Sequence, residues 1–484
     1  MLRMNQKRGE ITRGDSALAV KAGFWYVISS FLVKSVSFLT TPLFARLMSQ
    51  AEYGEFTNFA SWQVTLLIIT GMELHNTVNR AYYDFKEDYD SYISTVTILA
   101  GIVTATVYVI FLLCGDFIYN IVAIPKQYVH LMFVLLLFQS CKQIFMSRER
   151  TLYRYKTVAV ISFVSVIVPT LLSVLLVMFV PDGNRLSLRL YGFYGPLALV
   201  GVCCAVSLLR RGIKVKRHYS KYAFALAIPL LAHYLTAYLL ASTNTIVTKS
   251  VLGAEATAVV SIANSVLHIL TVFFHAVSGA ITTWLMDNLE KGDKAKIRKD
   301  SLFYVLLLAV LSVGVVLIAP EIVQVLGGTK YAVSTALVPG FVLSVFIQSV
   351  GTIFTIILTY DKNITKTAIF TGIVAVLSIV AKVALLPVFG QMVLPWINVT
   401  AFAVLFGINY LLVRRAGYAG AVDLKKIIAI ILALGILVGC SSLLYANTLV
   451  RYGIIAVCVV VFTVLVIRNK TAVLAFIKKM RKAK

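Results

Sequence analysis

Lys34 sits about halfway along an apolar stretch running from Ala22 to Leu47, with Ser30, Ser37 and Thr41 at helical spacing around it. A helix through this stretch carries one narrow polar face among Phe, Leu and Val. A lysine near the middle of a bilayer costs several kcal/mol, roughly, unless it faces protein or water. That face therefore reads as the lining of an interior cavity in which an ammonium meets an anion; the structural alternative is pairing with a neighbouring helix or snorkelling. Further cations stand at the ends of apolar runs: Arg46, Arg80 and Lys249. They suit an anionic headgroup on loading (Arg80) and on release or gate closure (Arg46, Lys249); cations at helix ends also anchor to lipid phosphate and complement helix dipoles. His233 and Asn244 continue a polar stripe in the second half of the chain and join the candidate substrate-binding set.

Acidic chemistry is sparse. Of 20 Asp and Glu, Glu73 alone lies inside an apolar run, beside His75, and the two are the candidates for ion coupling. An ion pair between Glu73 and Arg80, seven residues on, would account for Glu73 equally well. No aspartate pair or metal-ligand spacing occurs, and the six cysteines lie in or at the ends of apolar runs, as inert thiols would. Neither a catalytic residue nor a metal is expected. No cofactor is expected either, apart from coupling to a proton or sodium gradient. Lys382, late in its run, is near enough to an interface to snorkel. His268 and His275 share a helical face.

The elements that must position these residues are membrane spans. With 60% hydrophobic and 13% charged residues, the chain is a polytopic membrane protein, and its +25 charge points to anionic lipid rather than nucleic acid. About fourteen apolar runs can be marked: 21–43, 55–76, 92–114, 127–147, 157–180, 189–209, 221–248, 256–279, 301–319, 333–359, 366–387, 391–412, 425–446 and 452–467. With the N-terminus cytoplasmic, 36 of the 45 Lys and Arg fall on the cytoplasmic side and 7 outside, with Lys34 and Lys382 within spans. That bias sets both termini inside. The first run is long enough to stay in the membrane, so no cleavable leader is expected.

The expected fold is all-α, with two six-helix lobes and a C-terminal pair. Shifting the chain by 203 residues lays RLMSQAEYG (46–54) on KSVLGAEAT (249–257), Ser30 on His233 and Thr41 on Asn244. Six spans separate the units, so the repeat is parallel. The expected divisions are a cytoplasmic segment (1–20), an N-lobe (21–217), a C-lobe (218–415), and a helix pair with a basic tail (416–484).

TPLFARLMSQAEYG, closing the first span, resembles the opening of Wzx-like polysaccharide and O-antigen flippases of the multidrug/oligosaccharidyl-lipid/polysaccharide exporter superfamily. So does TGMELHNTVNRAYYDF with Gly71, Arg80, Tyr82 and Tyr83, and IVTKSVLGAEATAVVSIANSV is similar to the family's second-half entry. The resemblance implies two lobes in a V around a central cationic cavity, with the last two spans helping to hold a lipid tail. It implies a transporter, not an enzyme, that flips an isoprenoid-pyrophosphate-linked oligosaccharide from the inner to the outer leaflet by alternating access. Its partners would be that lipid, membrane lipids and polysaccharide assembly enzymes, in a bacterial cytoplasmic membrane. Two other functions compete. A drug/cation antiporter would favour acidic groups in the cavity. A membrane glycosyltransferase or polymerase would need positioned carboxylates or a large outer loop.

Overall fold

The computed structural model describes residue 36 and residues 38–179, 185–210, 212–361 and 364–468. Helical residues 38–47 lead into a turn at Met48–Ser49, followed by α1 (Gln50–Gly71). Ser49 Oγ accepts from the Glu52 amide at 3.2 Å, and the Glu52 carboxylate accepts from the Ser49 amide at 2.9 Å. This capping box satisfies two amide donors at the helix start. The acid in the repeated cation–spacer–acid motif is thus a helix-start device, and Glu255 occupies the first turn of the corresponding second-half helix.

After α1 come α2 (Leu74–Asp84), α3 (Tyr89–Leu113), the short α4 (Gly115–Val122), α5 (Lys126–Thr151), α6 (Tyr155–Phe179) and α7 (Arg185–Leu209). The second half contains α8 (Arg217–Leu252), α9 (Ala254–Glu290), α10 (Lys294–Gly327), α11 (Ser334–Tyr360), α12 (Ile364–Phe389) and α13 (Leu394–Arg415). The chain then runs through α14 (Leu424–Gly439), α15 (Ser441–Ala446) and α16 (Thr448–Arg468). Among the described residues, eight helical stretches are long and apolar enough to cross a membrane.

The second apolar run is not one helix. Met72 and Glu73 follow Gly71 with φ of 45° and 53°, both left-handed, so the span breaks between α1 and α2. Two non-glycine residues in that region cost about 1–2 kcal/mol each. Leu74, fully buried, and Ser147 Oγ, which donates to the His75 carbonyl at 2.6 Å, hold the break in place.

Packing repeats between the halves. α5 packs on α1, α3 and α7, and α6 on α7; likewise α11 packs on α9, α10 and α13, and α12 on α13. α14, α15 and α16 rest on α10. One helix serves both halves. The start of α8 buries Tyr219, Ala223 and Ala227 with Leu74, Val78, Tyr92 and Ile144 of the first half, and its later turns pack on α12 and α9 and also on α1, where Tyr238 donates to the Ser61 carbonyl at 3.3 Å.

Candidate functional site

A cavity of about 460 Å³ lies where the halves meet. From the first half, α1 contributes Tyr53, Thr57 and Ser61, one face at helical spacing. From the second, α8 contributes Tyr238, Ser242, Asn244 and Thr245, and α9 contributes Ser261, Asn264, Ser265 and His268. Ser344 and Gln348 of α11 and Asn398 of α13 complete the polar wall. None of the described lining residues is Lys, Arg, Asp or Glu. Asn244 is 2% exposed and Asn398 5%, and the amide oxygen of each has no hydrogen-bond partner among the described residues. Buried acceptors without partners are costly, so both are positioned to take O–H or N–H donors from a bound molecule or water.

One end of the cavity is closed by contacts between the halves. Arg46 Nη2 donates to the Val325 carbonyl at 3.3 Å, Gln50 Nε2 to the Lys330 carbonyl at 2.5 Å, and Lys330 Nζ to the Met48 carbonyl at 2.8 Å. Lys249 forms an ion pair with Glu55, and Ser261 Oγ donates to Thr57 Oγ1 at 2.9 Å. The helices approach so closely that a Cβ on Gly54 would lie 1.8 Å from the Ala254 carbonyl oxygen. Behind the closure, Arg185 donates to the Leu47 carbonyl. The Arg189 guanidinium, 6% exposed, lies 3.5 Å from the Phe56 ring centroid and 4.0 Å from that of Phe44, and donates to Met48 Sδ at 3.2 Å. At the opposite end, the described polar contacts between halves belong to the start of α8: Tyr222 with Asp84, and Lys216 and Tyr219 with Asp88. The Lys216 ammonium, helped by the Ser91 and Tyr219 hydroxyls, holds the Asp88 carboxyl well below the usual carboxylate range.

The residues singled out from sequence are dispersed over this architecture. Lys34, Ser30 and Ser37 lie outside the described residues. Thr41 is in hydrogen-bond reach of the Tyr53 hydroxyl, one residue back from the cavity. Asn244 lines the cavity. His233 lies on α8, and its side chain is outside what is described. Arg46 and Lys249 each bind a group of the opposite half, the Val325 carbonyl and the Glu55 carboxylate. Arg80 is exposed and pairs with Asp84 at 3.5 Å, so the Glu73–Arg80 pair does not form. Instead Glu73 accepts from Asn76 Nδ2 at 2.6 Å, with His75 Nε2 3.8 Å away. Lys382 does not snorkel: it is fully buried, and its Nζ donates to Thr243 Oγ1 at 2.8 Å. Sequence reasoning missed the α1 and α9 polar faces, although Ser261, Asn264, Ser265 and His268 follow helical spacing.

The family described as "Polysaccharide biosynthesis protein" matches residues 19–285, more than half of the 484. The chain belongs to that family. No curated protein matches it. Among solved structures, this family member is similar to the lipid II flippase MurJ in an inward closed conformation (TM-score 0.67, 14% identity, 92% of this chain and 99% of that one). It is also similar to a multidrug resistance MATE transporter of the MOP superfamily, inward-facing (TM-score 0.60, 12% identity, 80% and 95%). An outward-facing MATE transporter matches at TM-score 0.53 (13% identity, 86% and 97%). The fold is therefore the helical, polytopic membrane fold that these structures share.

Proposed function

We propose that this protein flips an isoprenoid-pyrophosphate-linked oligosaccharide from the inner to the outer leaflet of the bacterial cytoplasmic membrane, by alternating access, for cell-surface polysaccharide assembly. The observation that carries the reading is the cavity wall of hydroxyls, amides and tyrosines, with two buried amide oxygens, Asn244 and Asn398, left for a ligand. Such a wall suits a sugar, whose many hydroxyls need donors and acceptors in place of water. It does not suit a drug cation, for which a lining carboxylate would be expected. The sugar rests between α1, α8, α9, α11 and α13. The pyrophosphate is met by Lys34 with Ser30, Ser37 and Thr41, after loading past Arg80. The isoprenoid tail stays in the bilayer. Arg46 and Lys249 act as outer-gate residues, because each reaches across to the opposite lobe in the closed arrangement.

The test is a leaflet assay in proteoliposomes. A labelled lipid-linked oligosaccharide is followed by an impermeant probe for wild type, Lys34→Ala and the double variant Asn244→Leu/Asn398→Leu. Wild type exposes the lipid, and each variant, still folded, slows exposure at least about tenfold, the scale expected when polar partners of a bound group are removed. Wild-type-like exposure by the double variant would remove the sugar from this cavity. Cation efflux without lipid movement would make the protein an antiporter, and elongation of the supplied lipid would make it an enzyme.

A further inference from the structure

Lys382 differs from the other cations that are buried in the described structure, Arg148, Arg189 and Arg451, and from the partly buried Lys249. Arg148 is buried against Asp90 and Glu149, Lys249 is paired with Glu55, and Arg451 is paired with Glu321. Arg189 lies among aromatic rings and a thioether. Lys382 is fully buried with one described polar partner, the Thr243 hydroxyl. The elements packed against α12 are α8, α11, α13 and the turn Gly390–Val393, and their sequences contain no Asp or Glu at all. Their basic groups lie elsewhere. Arg217, His218 and Lys221 are at the far end of α8, Lys249 is committed to Glu55, and Arg414 and Arg415 are at the inner end of α13. His233 stands ten residues before Thr243 on α8. Of the three N–H donors of an ammonium, two have no described acceptor.

The same face of α12 carries Thr367, Thr371, Ser378 and Lys382 at helical spacing, a line of polar groups in a helix that beyond its first turn is otherwise apolar. Thr367 and Ser378 are 6% and 4% exposed, and the hydroxyl of each has no hydrogen-bond partner among the described residues. Buried hydroxyls without protein partners are the places where internal water is held. A buried ammonium without a counter-charge can be neutralised from within in one way, by passing its proton to such water.

We propose that Lys382 is a proton-exchange site, served by a water-bearing polar seam along α12, and that the proton bound there is the ion that drives transport. In the step, the Lys382 N–H bond breaks, the nitrogen keeps the electron pair, and the proton passes to a seam water and on to bulk. Return of a proton restores the ammonium and its donation to Thr243. The link to the cargo runs through α8. Thr243 is flanked by Ser242 and Asn244, which line the cavity, and α8 packs against first-half residues at its start and against both halves along its later turns. A change in the Lys382–Thr243 contact therefore acts on the helix the two halves share. Proton exchange stands on these contacts alone; its role as the driving ion rests on the transport reading above. Glu73, already bonded to Asn76, does not have the isolation that marks Lys382.

The experiment uses purified full-length protein and has two arms. In the first, thermal unfolding of wild type and Lys382→Met is followed from pH 6 to 9 without substrate. The gap between the two changes with pH, because one form titrates a group the other lacks; a constant gap overturns the proposal. In the second, proteoliposomes carrying labelled lipid-linked oligosaccharide are given a pH gradient. The gradient speeds wild-type exposure at least about fivefold, a modest coupling, and leaves Lys382→Met and Lys382→Arg at their rates without a gradient. A gradient response retained by both variants overturns the driving role. If wild type moves no lipid, the flippase reading fails, while the first arm still decides proton exchange.

Discussion

The two ends of the cavity are held by different chemistry. At the Arg46–Lys249 end, long cations and Gln50 bind main-chain carbonyls or a carboxylate of the opposite half, and Gly54 lets two helices touch. At the other end, the described polar contacts between halves come from one helix start, where two aspartates meet Lys216, Tyr219 and Tyr222. Many small directional contacts close a gate that can be reopened, because each carbonyl and charge regains a water partner when the gate parts. A single shared helix, in contrast, is a tether that persists while the rest separates. In the proposed transport cycle the first end would be the moving gate and the second the pivot of α8.

Three substitutions put that assignment at risk. Gly54→Val carries the largest expected effect. Its side chain would occupy the space of the Ala254 carbonyl, an overpacking cost of about 1–3 kcal/mol, so closure fails and lipid movement falls roughly tenfold or more. Accessibility of an engineered cysteine at the gate to a membrane-impermeant thiol reagent, added outside, should rise in parallel. Reversing one charge, as Glu55→Lys or Lys249→Glu, should slow movement several-fold, and the double swap should recover most of it, since the coupling of such a pair is on the order of 1 kcal/mol. Equal losses in single and double variants would mean that the pair does not act across the gate.

The smallest effect belongs to the pivot. The Asp88 carboxyl is held below its ordinary value by Lys216, so its contribution is present above the unfolded-chain value of about 4 and is lost as pH falls through the folded value. Acidification below about pH 4 should therefore loosen the start of α8 in wild type and change Asp88→Asn less. Hydrogen exchange in the first turns of α8 reads this directly.

Much of the architecture was legible because membrane spans announce themselves by length and the repeat by paired charges. Ser49 and Glu52 gave the turn, though as a capping box rather than as site chemistry. The break at Met72–Glu73 was not legible, because neither residue favours a left-handed backbone; packing of Leu74 and the Ser147 bond impose it. Asn244 was legible as part of a polar stripe. The partners of Arg46 and Lys249 were not, since Val325 and Glu55 lie far away in sequence. Lys382 was read from its distance to the helix end, which carries no information on what α8 places beside it.

The central claim is that the two halves must part at the Thr57–Ser261 contact for cargo to leave. The most direct measurement is a leaflet assay on Thr57→Cys/Ser261→Cys, whose parent hydroxyls are 2.9 Å apart. Oxidised to a disulfide, the variant should expose no labelled lipid-linked oligosaccharide, and reduction should restore movement. Undiminished movement by the fully oxidised protein would contradict the account.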